Sequence, residues 1–195
     1  DSTVTMLLDL SVLSPSEHLQ SLKESGINAV TFHSYFQKIT DDQYGNVLAL
    51  AKAAASLEMP ILIDSSFGST DMYLCNNLSL AASILSEITD VPVVLMHSGG
   101  ARAMEAFLLA DACPNVFLDT SFSVPYYMDS PIERDLAFVY RRIGVERVLF
   151  GSDFPYISFE DALCKTRLFF ERNGFSDSEI EIVFSNTSQK VLGQL

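Results

Sequence analysis

The sequence predicts an α/β protein built around one parallel sheet, and two observations support that prediction. Short apolar runs alternate with longer segments of helical period, without a break between Val4 and Leu195. This alternation is typical of repeated βα units. Each apolar run is also too continuous for a strand with one wet face, so the strands are expected to be buried on both faces.

Six strands and the main helices between them can be assigned in chain order. The predicted strands are VTMLLDLS, NAVTFHS, PILIDSS, VPVVLMHS, NVFLDTS and RVLFGSD. The clearest helical segments are SPSEHLQSLKES, DDQYGNVLALAKAAASLE, GARAMEAFLLADAC and SFEDALCKTRLFFERNG. Ser14 or Ser16 is expected to cap the first helix, and Gly174 is expected to end the last one. No linker, low-complexity tract or shift in composition divides the chain, so residues 1–195 are predicted to form a single domain.

Composition and charge argue against several classes of function. The formal net charge of −13 argues against a nucleic-acid or anionic-membrane partner, because such partners are bound through clustered Lys and Arg. No apolar run approaches the ~20 residues of a membrane span, and the first ten residues lack the basic segment of a signal peptide. The cysteines, Cys75, Cys113 and Cys164, are far apart and odd in number, which favours neither a zinc knuckle nor a disulfide framework. A cytoplasmic location is therefore expected.

An aspartate or a histidine stands at the end of every predicted strand. The six residues are Asp9, His33, Asp64, His97, Asp119 and Asp153. The loops after parallel strands converge at the carboxyl end of the sheet, where ligands bind. Helix capping or core packing explains any one of these residues taken singly, but six together would crowd several carboxylates at one rim. Because crowded carboxylates repel each other and resist desolvation, a divalent metal is predicted to hold them.

Four motifs in the chain carry a family resemblance. They are VPVVLMHSGG, PNVFLDTSF, GVERVLFGSDFPY and FSDSEIEIVFSNTSQKVLG. In order and spacing they resemble the metal-dependent hydrolase branch of the amidohydrolase superfamily, called amidohydrolase family 2. The resemblance implies a distorted TIM (β/α)8 barrel with a metal at its carboxyl rim. It places Asp153 at the strand-eight aspartate, which in the family contacts the metal and accepts a proton from the attacking water, and it places His97 at the strand-six histidine.

The chain departs from the family pattern in two ways. The strand-one pair of metal-binding histidines, HxH, is absent, because none of the three histidines, His18, His33 and His97, is separated from another by one residue. Counting back from Asp153 as strand eight makes the first predicted strand number three. About six of eight strands are therefore expected in this chain, with the first two missing, which suits its length because a complete barrel takes ~250 residues. The second departure is Asp64, which stands where the family has its strand-five metal histidine.

The family resemblance and the two departures from it assign roles to the residues at the rim. Asp153 and His97 are the predicted catalytic residues, and Asp153 and Asp64 are the predicted metal ligands. Zinc is the expected metal, with manganese or magnesium as alternatives because a carboxylate in place of a histidine favours harder ions.

Three further residues are assigned to substrate binding. His33 is predicted to contact the substrate, with a buried core histidine as the alternative. Ser121 belongs to a motif that does not bind metal in the family, so support of the site is its alternative role. Tyr126 lies in an aromatic stretch that could close over the substrate, and loop packing explains it equally well.

The resemblance implies a metal-dependent hydrolase that acts on a small carbonyl-containing amide, ester or lactone through a metal-activated water. A nonoxidative decarboxylase on the same scaffold and a degenerate, noncatalytic barrel are the alternatives. The expected partners are a small-molecule substrate and, in a homo-oligomer, further copies of the chain.

Overall fold

A six-stranded parallel sheet forms the centre of the protein in the computed structural model, which describes residues 4–192 except the side chain of Asn186. The strands follow one another across the sheet in chain order, and each is hydrogen-bonded to the next. The strands are β1 Thr5–Leu7, β2 Ala29–Phe32, β3 Ile61–Asp64, β4 Val93–Met96, β5 Val116–Asp119 and β6 Val148–Leu149. All six predicted strands are confirmed, although each is shorter than its apolar run. The sheet formed by the described residues is open, with β1 and β6 at its edges.

Helices connect the strands and follow the last one. They are α1 Pro15–Glu24, α2 Tyr44–Ser56, α3 Asn77–Leu85, α4 Ala103–Ala112, α5 Ser123–Tyr127, α6 Pro131–Ile143, α7 Phe159–Arg172, α8 Asp177–Glu181 and α9 Thr187–Leu192. Ser14 occupies the N-cap position of α1, but its side chain makes no capping hydrogen bond. Gly174 lies just beyond α7 with a φ of 73°, a backbone conformation that glycine adopts without steric cost. Within residues 4–192, no helix combines the length and apolar character needed to cross a membrane.

Alternate residues of the strands face two different layers. On one face, strand residues such as Ile63, Leu95 and Leu118 share the main hydrophobic core with the helices. On the other face, Val94 and Phe117 belong to a smaller apolar cluster. This alternation follows from the two-residue period of a strand. Helices α1 to α8 therefore cover one face, whereas α9 packs against the other through Val191 and Leu192. The residues that follow the strands are carried to one common edge of the sheet.

Candidate active site

A cavity of about 730 Å³ lies at the carboxyl ends of the strands. Its wall includes His33 after β2, Asp64 at the end of β3, His97 after β4 and Asp153 after β6. Four of the six predicted strand-end residues therefore share one cavity, because parallel strands deliver their carboxyl ends to the same edge of the sheet.

Asp64 is the electrostatic centre of this cavity. Its Oδ2 atom lies 3.1 Å from Nε2 of His97 and 3.4 Å from Nε2 of His33, while its Oδ1 atom accepts hydrogen bonds from the backbone and hydroxyl of Ser66. Burial raises the pKa of Asp64, but the hydrogen bond and charge of His97 outweigh burial and hold it below its ordinary value. Burial also lowers the pKa of His97, but the hydrogen bond to Asp64 and the carboxylate of Asp119 raise it to about 9. Asp64 and His97 thus form a buried ion pair at neutral pH.

His33 behaves differently from His97. Burial lowers its pKa, and the attraction of Asp64 does not fully compensate. Its Nδ1 atom is buried without a hydrogen-bond partner. His33 is therefore a neutral imidazole at neutral pH, in contact with Asp64 through Nε2.

The end of β5 fixes the orientation of His97. The carboxylate of Asp119 accepts a hydrogen bond from the backbone N–H of His97 at 2.7 Å and another from the hydroxyl of Ser121 at 2.6 Å. The Ser121 hydroxyl also lies 2.9 Å from Nδ1 of His97. The imidazole is consequently held on both sides, by Asp64 at Nε2 and by Ser121 at Nδ1.

The backbone after β4 is unusual, because His97, Ser98, Gly99 and Gly100 all have positive φ angles. A Cβ atom added to Gly100 would lie 2.5 Å from the backbone nitrogen of Phe67, so only glycine fits here. The neighbouring loop of the chain itself fills the space beside these glycines.

Asp153 follows β6, two strands along the sheet from β4, and is half-buried, with a φ of 61°. Among the described residues, no hydrogen bond reaches its carboxylate. Burial raises its pKa, and the carboxylates of Asp119 and Asp64 raise it further, although His97 opposes them. Helix α7 does not use Asp153 as its cap, because the hydroxyl of Ser158 accepts the capping hydrogen bond from Asp161 at 3.1 Å. The capping explanation for Asp153 is therefore wrong.

Two residues assigned to substrate binding, Ser121 and Tyr126, do not line the cavity. Ser121 is buried against His97 and Asp119 and does not line the cavity. Tyr126 is exposed and stacks on Phe122, with ring centroids 4.7 Å apart, and Phe122 is the residue that lines the cavity. Their role in substrate binding stays a prediction.

The remaining strand-end aspartate belongs elsewhere. Asp9 accepts hydrogen bonds from the backbone and hydroxyl of Ser11 and lines a separate surface pocket beside β1. These hydrogen bonds stabilise a local turn at the edge of the sheet.

Sequence reasoning missed the residues that complete the cavity wall. Tyr35 and Ser66 form a hydrogen-bonded pair, 3.1 Å between hydroxyl oxygens, which continues from Asp64. Asn77 donates a hydrogen bond to the backbone of Ser66 at 2.8 Å and so anchors that loop. Tyr35 directly follows HS and Ser66 is the last residue of DSS, at two strand ends. That position was the available signal, but no local rule distinguishes these two residues from other loop residues.

The donors around Asp64 match a divalent metal by chemical type, since imidazole nitrogen and carboxylate oxygen are ligands of zinc and manganese. Across residues 4–192, however, no three His, Cys, Asp or Glu side chains are arranged to hold a metal. Oδ2 of Asp64 faces two imidazole nitrogens instead. The chain thus supplies suitable metal ligands without assembling a complete set.

The fold and cavity define a parallel α/β scaffold with a cavity at its carboxyl rim, the place where such scaffolds bind ligands. The chain belongs to amidohydrolase family 2, because the model of that family, described as "Amidohydrolase", matches residues 12–194. The predicted family is therefore confirmed. No curated protein sequence matches the chain significantly.

Solved structures resemble the whole described fold at low sequence identity. An uncharacterised TIM-barrel protein from Bordetella bronchiseptica has a TM-score of 0.77 at 16% identity, over 98% of this chain and 66% of its own. An amidohydrolase from Burkholderia multivorans with bound zinc has a TM-score of 0.71 at 16% identity, over 98% and 73%. A probable 2-pyrone-4,6-dicarboxylic acid hydrolase from Acinetobacter baumannii with bound citric acid has a TM-score of 0.69 at 14% identity, over 96% and 71%.

A decarboxylase is also among the structural neighbours. A dihydroxybenzoic acid decarboxylase from Polaromonas with bound manganese has a TM-score of 0.60 at 13% identity, over 93% of this chain and 65% of its own. At such identities the likeness shows the fold alone, and it confirms the predicted TIM-barrel scaffold. The chain spans about two thirds to three quarters of the length of these proteins.

Proposed function

We propose that this protein is a metal-dependent hydrolase that cleaves a small amide, ester or lactone with an activated water. The observation that carries the proposal is the shared cavity, in which an unpaired carboxylate, Asp153, lines the same wall as the His97–Asp64 ion pair. A free base and a fixed acid in one cavity are the two proton-transfer groups that acyl hydrolysis requires.

Asp153 is the proposed general base. Its carboxylate has no hydrogen bond from the described residues, and burial with like-charged neighbours raises its pKa. A raised pKa makes the carboxylate a better proton acceptor. It is therefore suited to orient a water molecule and to take its proton.

His97 is the proposed proton donor to the oxygen or nitrogen that leaves. Its pKa of about 9 keeps the imidazole protonated at neutral pH. Asp64 stabilises that charge, and Ser121 holds the other side of the ring. An imidazolium fixed in this way stabilises negative charge that develops on a substrate oxygen.

A divalent ion bound by Asp64 and Asp153 would lower the pKa of a water molecule and polarise the substrate carbonyl. Zinc is the proposed ion, with manganese or magnesium as alternatives, and the zinc and manganese in structural neighbours support a divalent metal. His33, a neutral imidazole beside Asp64, is proposed to contact the substrate from the β2 side of the cavity.

A nonoxidative decarboxylase is the second candidate, and the decarboxylase among the structural neighbours favours it. The same His97 that donates a proton to a leaving group would then protonate the carbon that loses carbon dioxide. Release of carbon dioxide from aromatic carboxylic acids distinguishes this activity from hydrolysis.

The remaining proposals concern the setting of the protein. We propose a single barrel domain over residues 1–195, a small-molecule substrate, no nucleic-acid or membrane partner, a cytoplasmic location and homo-oligomerisation. The net charge of −13 supports the exclusion of nucleic acid.

Replacement of Asp153 by Asn tests the proposal. Turnover of a panel of amides, esters and lactones should fall by roughly 10²–10⁴-fold, the usual contribution of a general base. Stabilisation by zinc in thermal unfolding should also disappear. The zinc-free variant should melt at the same temperature as the parent or higher, because folding raises the pKa of Asp153 and so disfavours its charged form.

Asp9→Asn is the matched control, since Asp9 also follows a strand but lies outside the cavity. It should keep turnover and zinc stabilisation. An Asp153→Asn protein that melts lower without zinc, yet keeps turnover and zinc stabilisation, would show that Asp153 is structural.

A further inference from the structure

Helices α4 and α6 expose apolar side chains on the outer surface of the helical layer. Met104 and Leu108, one turn apart on α4, are 41% and 64% exposed, and Phe138 of α6 is 50% exposed. The two helices are neighbours, and Phe138 meets Phe107 of α4 edge-on with ring centroids 5.6 Å apart. These four side chains form one apolar surface, here named the α4–α6 face. Contiguous exposed apolar surface marks a site of interaction with another molecule.

The exposed charges of this face differ in sign between its two helices. They are Glu105 and Asp111 on α4, and Arg134, Asp135, Arg141 and Arg142 on α6. Residues three or four positions apart lie on the same side of a helix. Leu108 is therefore flanked by the two acids of α4, three residues before and after it. Phe138 is flanked by Arg134 and Arg142, four residues before and after it.

The contact between Phe107 and Phe138 fixes the register of the two helices. Both helices return the chain between parallel strands, so they run in the same direction. Asp111 and Arg142 each stand four residues beyond the contacting rings and thus lie at the same height along the face. Within residues 4–192, neither of them takes part in a salt bridge. Both charges are available to a partner.

We propose that the α4–α6 face binds a second copy of this chain through a two-fold axis parallel to the two helices. Such an axis places α4 of each protomer opposite α6 of the other. Leu108 then packs on Phe138, and Asp111 meets Arg142 of the other protomer. A partner of uniform charge would meet like charge on one of the two helices, whereas a second copy supplies the opposite sign at both. This inference is independent of the proposed hydrolase function.

The size of the face sets the strength of this dimer. Helices α4 and α6 are about 15 and 20 Å long, and together they are about 20 Å wide. The face therefore covers roughly 400 Å² on each protomer, about half the area of a standard stable interface. The dimer is consequently weak and reversible, with a dissociation constant in the micromolar range.

Analytical ultracentrifugation of the full chain, from about 1 to about 200 μM, tests the proposal. The average mass should rise from that of a monomer toward that of a dimer across this range. Leu108→Asp should weaken dimerisation by about tenfold or more, because it places a charge at the apolar centre. Leu13→Asp is the matched control, since Leu13 is 98% exposed and lies beside α1, so it should dimerise as the parent does. A parent that stays monomeric throughout, or an equal effect of the two substitutions, would overturn the proposal.

A charge exchange tests the two-fold arrangement itself. Asp111→Arg and Arg142→Glu each place like charges opposite one another, and each alone should weaken dimerisation by roughly fivefold. Reversal is used because loss of one exposed ion pair changes affinity little. An equimolar mixture of the two variants should regain the association of the parent, because the mixed dimer again pairs opposite charges at both positions. Failure of the mixture to recover, with circular dichroism showing both variants folded, would overturn the arrangement.

Discussion

The two sides of the cavity are built in different ways. On the side formed by β3, β4 and β5, Asp64, His97, Asp119 and Ser121 share a continuous set of ion pairs and hydrogen bonds. On the side that follows β6, the carboxylate of Asp153 has no such partner among the described residues. A charge that is paired on folding stabilises the fold, whereas an unpaired, half-buried charge weakens it. In the proposed mechanism, the paired side would hold the proton donor in place and the unpaired side would accept the proton of the water.

The pKa directions show the same contrast. Pairing with Asp64 raises the pKa of His97 to about 9, although burial opposes this rise. The pKa of Asp64 is lowered in turn, so folding favours the charged form of both residues. Burial raises the pKa of Asp153, so its charged form is disfavoured by folding. Removal of a charge should therefore have opposite effects on stability at the two sides.

The largest effect on the stability of the fold is expected for Asp64→Asn. This change leaves the His97 charge buried without its partner, and the free energy of unfolding should fall by about 3 kcal/mol. Thermal unfolding of the zinc-free protein should show a decrease of roughly 10 °C. Asp111→Asn, at an exposed position near the end of α4, should change little.

A double variant sharpens this prediction. Adding His97→Gln to Asp64→Asn removes the stranded charge and should restore part of the lost stability. A single Asp64→Asn protein that is as stable as the parent would show that the two sides do not differ as described.

The second effect is a pH dependence of stability, measured by urea unfolding of the zinc-free protein. The folded pKa of His97, about 9, lies above its ordinary value of 6.5. The contribution of protonated His97 to the free energy of unfolding is therefore fully present below pH 6.5. It is lost as the pH rises through 9, with a total loss of about 3 kcal/mol. His97→Gln should flatten this dependence, whereas His18→Gln, on helix α1, should retain it. A parent protein whose stability is constant across this window would contradict the ion pair.

The smallest effect is expected for Ser121→Ala. Loss of its hydrogen bonds to His97 and Asp119 should lower the free energy of unfolding by about 1 kcal/mol. Because the imidazole loses its support at Nδ1, kcat should fall while KM stays unchanged. Ser86→Ala, which removes an exposed hydroxyl bonded to its own helix, is the control. A higher KM with unchanged stability would favour the substrate-binding role of Ser121 instead.

Local pattern was sufficient to predict the elements of the fold. The apolar run PILIDSS gave β3 because a strand buried on both faces must be apolar along its whole length. The segment SFEDALCKTRLFFERNG predicted α7 and its end near Gly174, because glycine just after a helix adopts the positive φ that ends it without steric cost. The same logic placed His33, Asp64, His97 and Asp153 at one rim, because parallel strands carry their carboxyl ends to one edge.

The sequence by itself determined which residues reach the carboxyl rim and which family the chain belongs to, since both depend on the order of residues along the strands. Only the tertiary structure decided which of those residues meet. Two arrangements depend on distances between separate strands and loops: the pairing of Asp64 with His97 and the burial of Ser121 behind the imidazole. Such distances are set by the register and curvature of the whole sheet, and local sequence does not encode them.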